Sequence, residues 1–292
     1  MYAAPPVIEA QPFARLPSEF RRKGGSHDCF LEGPAFDRAG NLHVVNIPLG
    51  QILKMSPDGA FSVVAQYDGE PNGLAFHKDG RIFIADHLNG LMVADPSSGA
   101  VTSVVDRPRR ERFKGLNDLT FAANGDLYFT DQGQTGLHDP TGRLWRLRQE
   151  KWLDLILDNI PSPNGLVLAE SDRILYLAVT RGNAVWRVPL RKDGGPGRVG
   201  IYIQLSGGAG PDGMALDEKG GLVVAHLGMG SFWVFCPRGR PVAEITMPKG
   251  VMATNCAFGG PDGRTLFMTE SQTGTILTAT LDVPGASLFS HA

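Results

Sequence analysis

Short apolar runs alternate with polar turns along this chain, and one arrangement of them recurs six times. The recurring segments are Glu32-Gly33-Pro34-Ala35-Phe36, Pro71-Asn72-Gly73-Leu74-Ala75-Phe76, Leu116-Asn117-Asp118-Leu119-Thr120-Phe121, Pro163-Asn164-Gly165-Leu166-Val167-Leu168, Pro211-Asp212-Gly213-Met214-Ala215-Leu216 and Thr254-Asn255-Cys256-Ala257-Phe258. Each is headed by asparagine or an acid, and successive lead residues lie 40 to 48 positions apart. A polar turn and a second apolar run follow, as in Asp79-Gly80 before Arg81-Ile82-Phe83-Ile84-Ala85, or Asn124-Gly125 before Asp126-Leu127-Tyr128-Phe129-Thr130. Alternation with β-branched and aromatic enrichment predicts a third strand per repeat, for example Gly142-Arg143-Leu144-Trp145-Arg146-Leu147, and a fourth, for example Phe61-Ser62-Val63-Val64-Ala65.

A period in the forties with turn signals at fixed offsets is the pattern of a radial β-repeat. The expected fold is all-β, a six-bladed β-propeller. The sixth repeat runs out of chain before its fourth strand, while Pro6–Arg15 is left over before the first. That N-terminal segment is expected to supply the missing strand of the last blade and so close the ring, which removes an exposed sheet edge. Each unit needs its neighbours to bury both faces, so residues 1–292 are expected to form a single propeller domain.

Composition narrows the function. Apolar residues make up 42% of the chain and charged residues 20%, which fits a globular protein with a substantial core. A formal net charge of −2 with both signs mixed offers no basic stripe, so nucleic acid is not an expected partner. No apolar run approaches the ~18 residues of a membrane span. Met1-Tyr2-Ala3-Ala4-Pro5-Pro6 has neither a basic n-region nor an apolar h-region, so no secretory signal is expected. Cys29, Cys236 and Cys256 are odd in number and far apart, which fits a reducing cytoplasm better than a disulfide framework. Nothing in the sequence marks an oligomer face.

The innermost strand of each propeller blade lines the axis, so the six lead residues are expected to converge. Glu32 and Asp212 with Asn72, Asn117, Asn164 and Asn255 would form a ring of hard oxygen donors, suited to one divalent metal ion. Ca²⁺ is favoured, with Mn²⁺, Zn²⁺, Mg²⁺ or Fe as alternatives. Any single Pro-Asn-Gly or Pro-Asp-Gly reads first as a turn; six in one register favour a site. Six to eight ligands include water and substrate, so Asn72 and Asn255 are candidates for lining the pocket instead.

The segments Glu32-Gly33-Pro34, Leu116-Asn117-Asp118-Leu119, Pro163-Asn164-Gly165-Leu166, Pro211-Asp212-Gly213-Met214 and Phe258-Gly259-Gly260-Pro261-Asp262-Gly263 resemble the SMP-30/gluconolactonase/LRE-like family. The resemblance covers roughly residues 28–280. His226-Leu227-Gly228-Met229 and Arg238-Gly239-Arg240-Pro241 are similar to its drug-responsive bacterial lactonase branch. It implies six-bladed, metal-dependent hydrolysis of a small-molecule lactone to the hydroxy acid. It also implies Glu32, Asn164 and Asp212 as metal ligands, with Asn117 as ligand or substrate contact. Asp212, as ligand and general base, is the expected catalytic residue. The chain departs from the family at Gly115, where the sugar-lactonase branch has arginine, and at Asn46, where aspartate is usual.

His226 ends a second strand in the blade of Asp212 and is a candidate substrate contact or proton shuttle. His87 and His27 are weaker candidates. Gly208-Ala209-Gly210-Pro211-Asp212-Gly213 satisfies a dinucleotide-binding pattern, but strand–turn–strand follows where a helix is required. Two other functions compete on the same scaffold. One is a strictosidine-synthase-like condensing enzyme, for which Glu270 is the available glutamate. The other is a non-enzymatic binding propeller with a structural metal.

Overall fold

The computed structural model describes residues 4–24 and 28–291, and its strands form six sheets arranged as the blades of a propeller, each built on four antiparallel strands. The innermost strands are Leu31–Phe36, Pro71–Phe76, Leu116–Phe121, Pro163–Ala169, Gly210–Leu216 and Ala253–Gly259. Each begins at a segment picked out by the repeat. The first blade continues outward through Leu42–Asn46, Gln51–Met55 and Phe61–Gln66.

Burial explains why the strands differ in composition. Second strands such as Leu42–Asn46, Ile82–Asp86 and Leu127–Asp131 are buried at every position, because neighbouring blades cover both of their faces. They read accordingly as nearly unbroken apolar runs. Outer strands such as Val101–Val105 have no fully buried position. The core lies between blades: Phe83 of the second blade packs with Phe129 and Trp145 of the third. Phe83 and Phe129 are fully buried, each worth about 1.5–3 kcal/mol by transfer from water. Trp186 and Trp233 pack in the same manner between later blades.

The N-terminal segment closes the ring with a division of labour. Gln11–Arg15 pairs antiparallel with Thr275–Thr280 and completes the sixth blade as expected. Val7–Glu9 instead joins the fifth blade as a fifth strand, parallel to Pro241–Thr246. Ala10, 1% exposed, is the pivot, and its N–H donates to the Thr246 carbonyl at 2.9 Å. One short segment therefore staples the fifth and sixth blades together.

The C-terminal segment crosses the end of the axis opposite the lead residues. Phe289 stacks on Phe121 at 4.9 Å between ring centroids, and the Ser290 carbonyl accepts from Arg38 Nε at 2.7 Å. Between it and the lead residues runs a cavity of about 440 Å³, walled by Phe36, Phe76, Phe121, Met214 and Phe258 among others. Among the described residues, no helix is long and apolar enough to cross a membrane.

Candidate active site on the propeller axis

All six innermost strands slip register against their second strands at the lead residue. The shifts fall between Glu32 and Ala35, Pro71 and Gly73, Leu116 and Leu119, Pro163 and Leu166, Pro211 and Met214, and Ala253 and Cys256. A bulge re-aims a side chain that regular pairing would leave on a blade face. The repeat in the sequence is thus a repeat of bulges.

In four blades the residue after the lead is glycine (Gly33, Gly73, Gly165 and Gly213), because the next blade sits on it. A Cβ added to Gly213 would lie 1.9 Å from Asn255 Cγ. One added to Gly165 would lie 2.5 Å from the Asp212 carbonyl oxygen. The blades interlock at the axis through these contacts, lead residue against glycine.

Glu32 and Asp212, each 5% exposed, are buried together with Asn117, Asn164 and Asn255. Asn72 is half-buried. Glu32 Oε2 accepts from the Gly33 N–H at 2.6 Å and from Asn255 Nδ2 at 2.8 Å. The Asn255 amide also favours the charged form of Asp118, while its Oδ1 accepts the Cys256 N–H at 2.8 Å. Asn164 lies beside Asp212 and favours its charged form. From the sixth blade, Thr254 Oγ1 and Ser271 Oγ both donate to the Leu31 carbonyl of the first, at 2.9 and 2.5 Å, and steady the strand that carries Glu32.

Three carboxylates share this space. Burial pushes Glu32 well above the ordinary glutamate range, and the charges of Asp212 and Asp118 push it further. Burial raises Asp118 to about 7, and burial with the charge of Asp118 raises Asp212 to about 8. Asn255 and Asn164 oppose these shifts by donating to the charged forms. Among the described residues, no lysine or arginine forms an ion pair with any of the three. Nor do three Asp, Glu, His or Cys side chains gather closely enough to hold an ion alone. Amide oxygens would have to complete a metal site, and the donor set fits that requirement: carboxylates without an ion pair beside asparagine side chains, with the Arg181 charge acting on Asp212 from a distance.

Residues 30–272 match the SMP-30/gluconolactonase/LRE-like region. The chain belongs to the SMP-30/gluconolactonase/LRE-like family. It is 27% identical to lactonase drp35 of Staphylococcus aureus over 85% of this chain and 79% of that protein. It is 30% identical to the gluconolactonase of Zymomonas mobilis over 82% of this chain and 76% of that protein. A calcium-binding regucalcin of Agrobacterium tumefaciens shares the fold, with a TM-score of 0.82 at 23% identity over the full length of both chains.

Not every candidate of this family member stands in the cluster. His226 is 1% exposed, and both of its ring nitrogens are engaged. Nε2 meets the Gly207 carbonyl at 3.0 Å, and Nδ1 accepts from Trp233 Nε1 at 3.2 Å. Burial lowers its pKa, so the neutral ring serves this bridge. The His87 ring lies over Gly115, where a Cβ would come within 2.3 Å of it. His27 lies outside the described residues. Glu270 is wholly buried and caps its own turn, accepting the Gln272 and Thr273 N–H groups at 2.9 and 2.7 Å. Asn46 is likewise buried, holding the Phe30 N–H and the Phe20 carbonyl at 3.2 and 2.7 Å. Asp118 is the member that lead-residue counting missed. Its signal is a second polar residue, where the blades on either side carry glycine at positions 73 and 165.

Proposed function

We propose that this chain is a metal-dependent lactonase that opens a lactone ring to the hydroxy acid at the axial cluster. The observation that carries the reading is the set of three carboxylates, buried Glu32 and Asp212 with half-buried Asp118, without an ion-paired cation among the described residues. Like charges in a buried site favour proton uptake unless a cation relieves them. An all-oxygen donor set favours Ca²⁺, with Mn²⁺, Zn²⁺, Mg²⁺ or Fe as alternatives. Glu32, Asn117, Asn164 and Asp212 would hold the ion.

Bound there, it would polarise the lactone carbonyl and acidify a water molecule. Asp212 takes the proton of the attacking water and returns it to the departing ring oxygen. The Asn164 amide, beside Asp212, favours the ionised carboxylate that accepts that proton. Asn255 performs the same service for Glu32 and Asp118, so its role is to clamp the cluster. Asn72, less buried than the others, is assigned to the substrate. His226 is assigned to packing, since its nitrogens are spent on Gly207 and Trp233.

The condensing alternative loses its residue, because Glu270 is consumed by its own turn. A binding platform with a structural metal accounts less well for relatives named lactonase and gluconolactonase. The free thiols Cys29, Cys236 and Cys256 accord with a cytoplasmic setting. Asp212→Ala is expected to lower kcat on a responsive lactone by about 10³-fold or more with unchanged far-UV circular dichroism. Retention of substantial turnover by that variant would remove Asp212 from its role.

A further inference from the structure

Asn117 and Asn255 hold corresponding lead positions yet spend their amides differently. Asn255 commits both ends, Nδ2 to Glu32 at 2.8 Å and Oδ1 to the Cys256 N–H at 2.8 Å. Asn117 donates from Nδ2 to Gln132 Oε1 at 3.1 Å, and no described group donates to its Oδ1. An amide whose N–H end is fixed presents its carbonyl end elsewhere.

Gln132, half-buried, is fixed in turn. Its Nε2 donates to Ser162 Oγ at 3.0 Å, and its backbone N–H donates to the Gly115 carbonyl at 2.9 Å. The Ser162 N–H donates to Thr135 Oγ1 at 3.0 Å, and Thr135 Oγ1 donates to the Gln132 carbonyl at 2.6 Å. The loop is therefore closed on itself. Ser162 is buried and has φ of 64°, a left-handed conformation unusual for a residue with a side chain. Backbone in such a region persists where its surroundings hold it there, and here the hydrogen-bonded loop does so. Ser162 also immediately precedes Pro163-Asn164. The bonds thus connect the lead residue of the third blade to the approach of the fourth.

We infer that Gln132 is a positioning residue that holds the Asn117 amide with its carbonyl oxygen free for the axial ion. The inference rests on the metal reading given above. Gln132 touches neither ion nor substrate; it acts by keeping an acceptor against Asn117 Nδ2. Without that acceptor the amide is free to turn, and an N–H₂ end facing a cation forfeits a ligand. Supporting partners of metal ligands typically contribute 10–100-fold in affinity.

The test is a calorimetric titration of chelator-treated protein with Ca²⁺ alone, using the full chain and its variants. Gln132→Met, similar in volume but without the acceptor, is expected to weaken Ca²⁺ about tenfold or more while the metal-free Tm stays at the wild-type value. Gln132→Glu keeps an acceptor and is expected to bind at least as well as wild type. Wild-type affinity in Gln132→Met overturns the inference and leaves the metal reading standing. Absence of Ca²⁺ binding by the unaltered chain overturns both. Should Gln132→Met fail to fold, Ser162→Ala takes its place. That variant releases Gln132 Nε2 and is expected to weaken Ca²⁺ several-fold; unchanged affinity there is equally fatal.

Discussion

Glu32, Asp118 and Asp212 give single residues their weight in this protein, because each alters the proton affinity of another. The repeat made Glu32 and Asp212 legible in the sequence, since both head a recurring segment. Asp118 stayed hidden one position inside the third segment, because it is not itself a lead residue and its counterparts in the neighbouring blades are glycines. The sorting of the asparagines was not legible either. Whether an amide offers its oxygen or spends it depends on partners such as Gln132 and Cys256, which belong to other strands and loops. His226 shows the same limit, since its two partners, Gly207 and Trp233, become neighbours through folding alone. Away from the axis, His43 gives a prediction at this scale. It is buried, lies edge-on to Phe76, and bonds Asp37 through Nε2 at 3.2 Å. Burial lowers its pKa, and the bond to Asp37 only partly offsets this. The unfolded chain therefore binds this proton more readily, so stability is full above about pH 6.5 and falls as pH drops through the lowered folded value. Burial raises Asp37, but the bonds from Asn41 and His43 more than reverse it, so its own contribution is lost only below the ordinary aspartate range. Glu32, Asp118 and Asp212, raised in the fold, gain stability over the same range in every variant. The expected readout is therefore the difference between wild type and His43→Phe in urea unfolding, which shifts against wild type as pH falls from about 7 to about 4.5. Parallel profiles would exclude His43 as the source.

At the scale of elements, the bulge at the head of each innermost strand is the device that builds the site. Strand identity was readable from alternation, and the sixfold register was readable from spacing. The bulges were implicit in the Pro-Asn-Gly and Pro-Asp-Gly segments, which also read as ordinary turns. Interlocking across blades supplies the rigidity, and Gly213 is its tightest point. Gly213→Ala is expected to push Asn255 off Glu32 and to cost about 1–3 kcal/mol, as overpacking of a close-fitted interior does. The combined signature is a lower Tm with weakened metal binding. A variant with wild-type Tm and wild-type affinity would show that the interlock is not needed. The N-terminal segment was readable only in part. That it closes the sixth blade follows from a missing strand. Its first half joins the fifth blade instead, because Val7–Glu9 finds the unpaired edge of Pro241–Thr246 before the chain turns at Ala10.

For the whole molecule, ring closure and the axial cluster are linked. Six blades from distant parts of the chain converge only when the ring is complete, so a ligand bound at their centre stabilises the closed form. Binding at 100 times the dissociation constant adds about 2.7 kcal/mol. The central claim is that lactone hydrolysis depends on a divalent ion held at that centre. The direct test is hydrolysis of a panel of sugar, aliphatic and aromatic lactones, followed by pH-stat with chelator-treated protein. Ca²⁺, Mn²⁺, Zn²⁺ and Mg²⁺ are then restored one at a time. Loss of activity on chelation and its recovery on adding an ion, with Ca²⁺ foremost, is the predicted result. Full activity in chelator-treated protein, or bound metal with no turnover on any lactone, would contradict it.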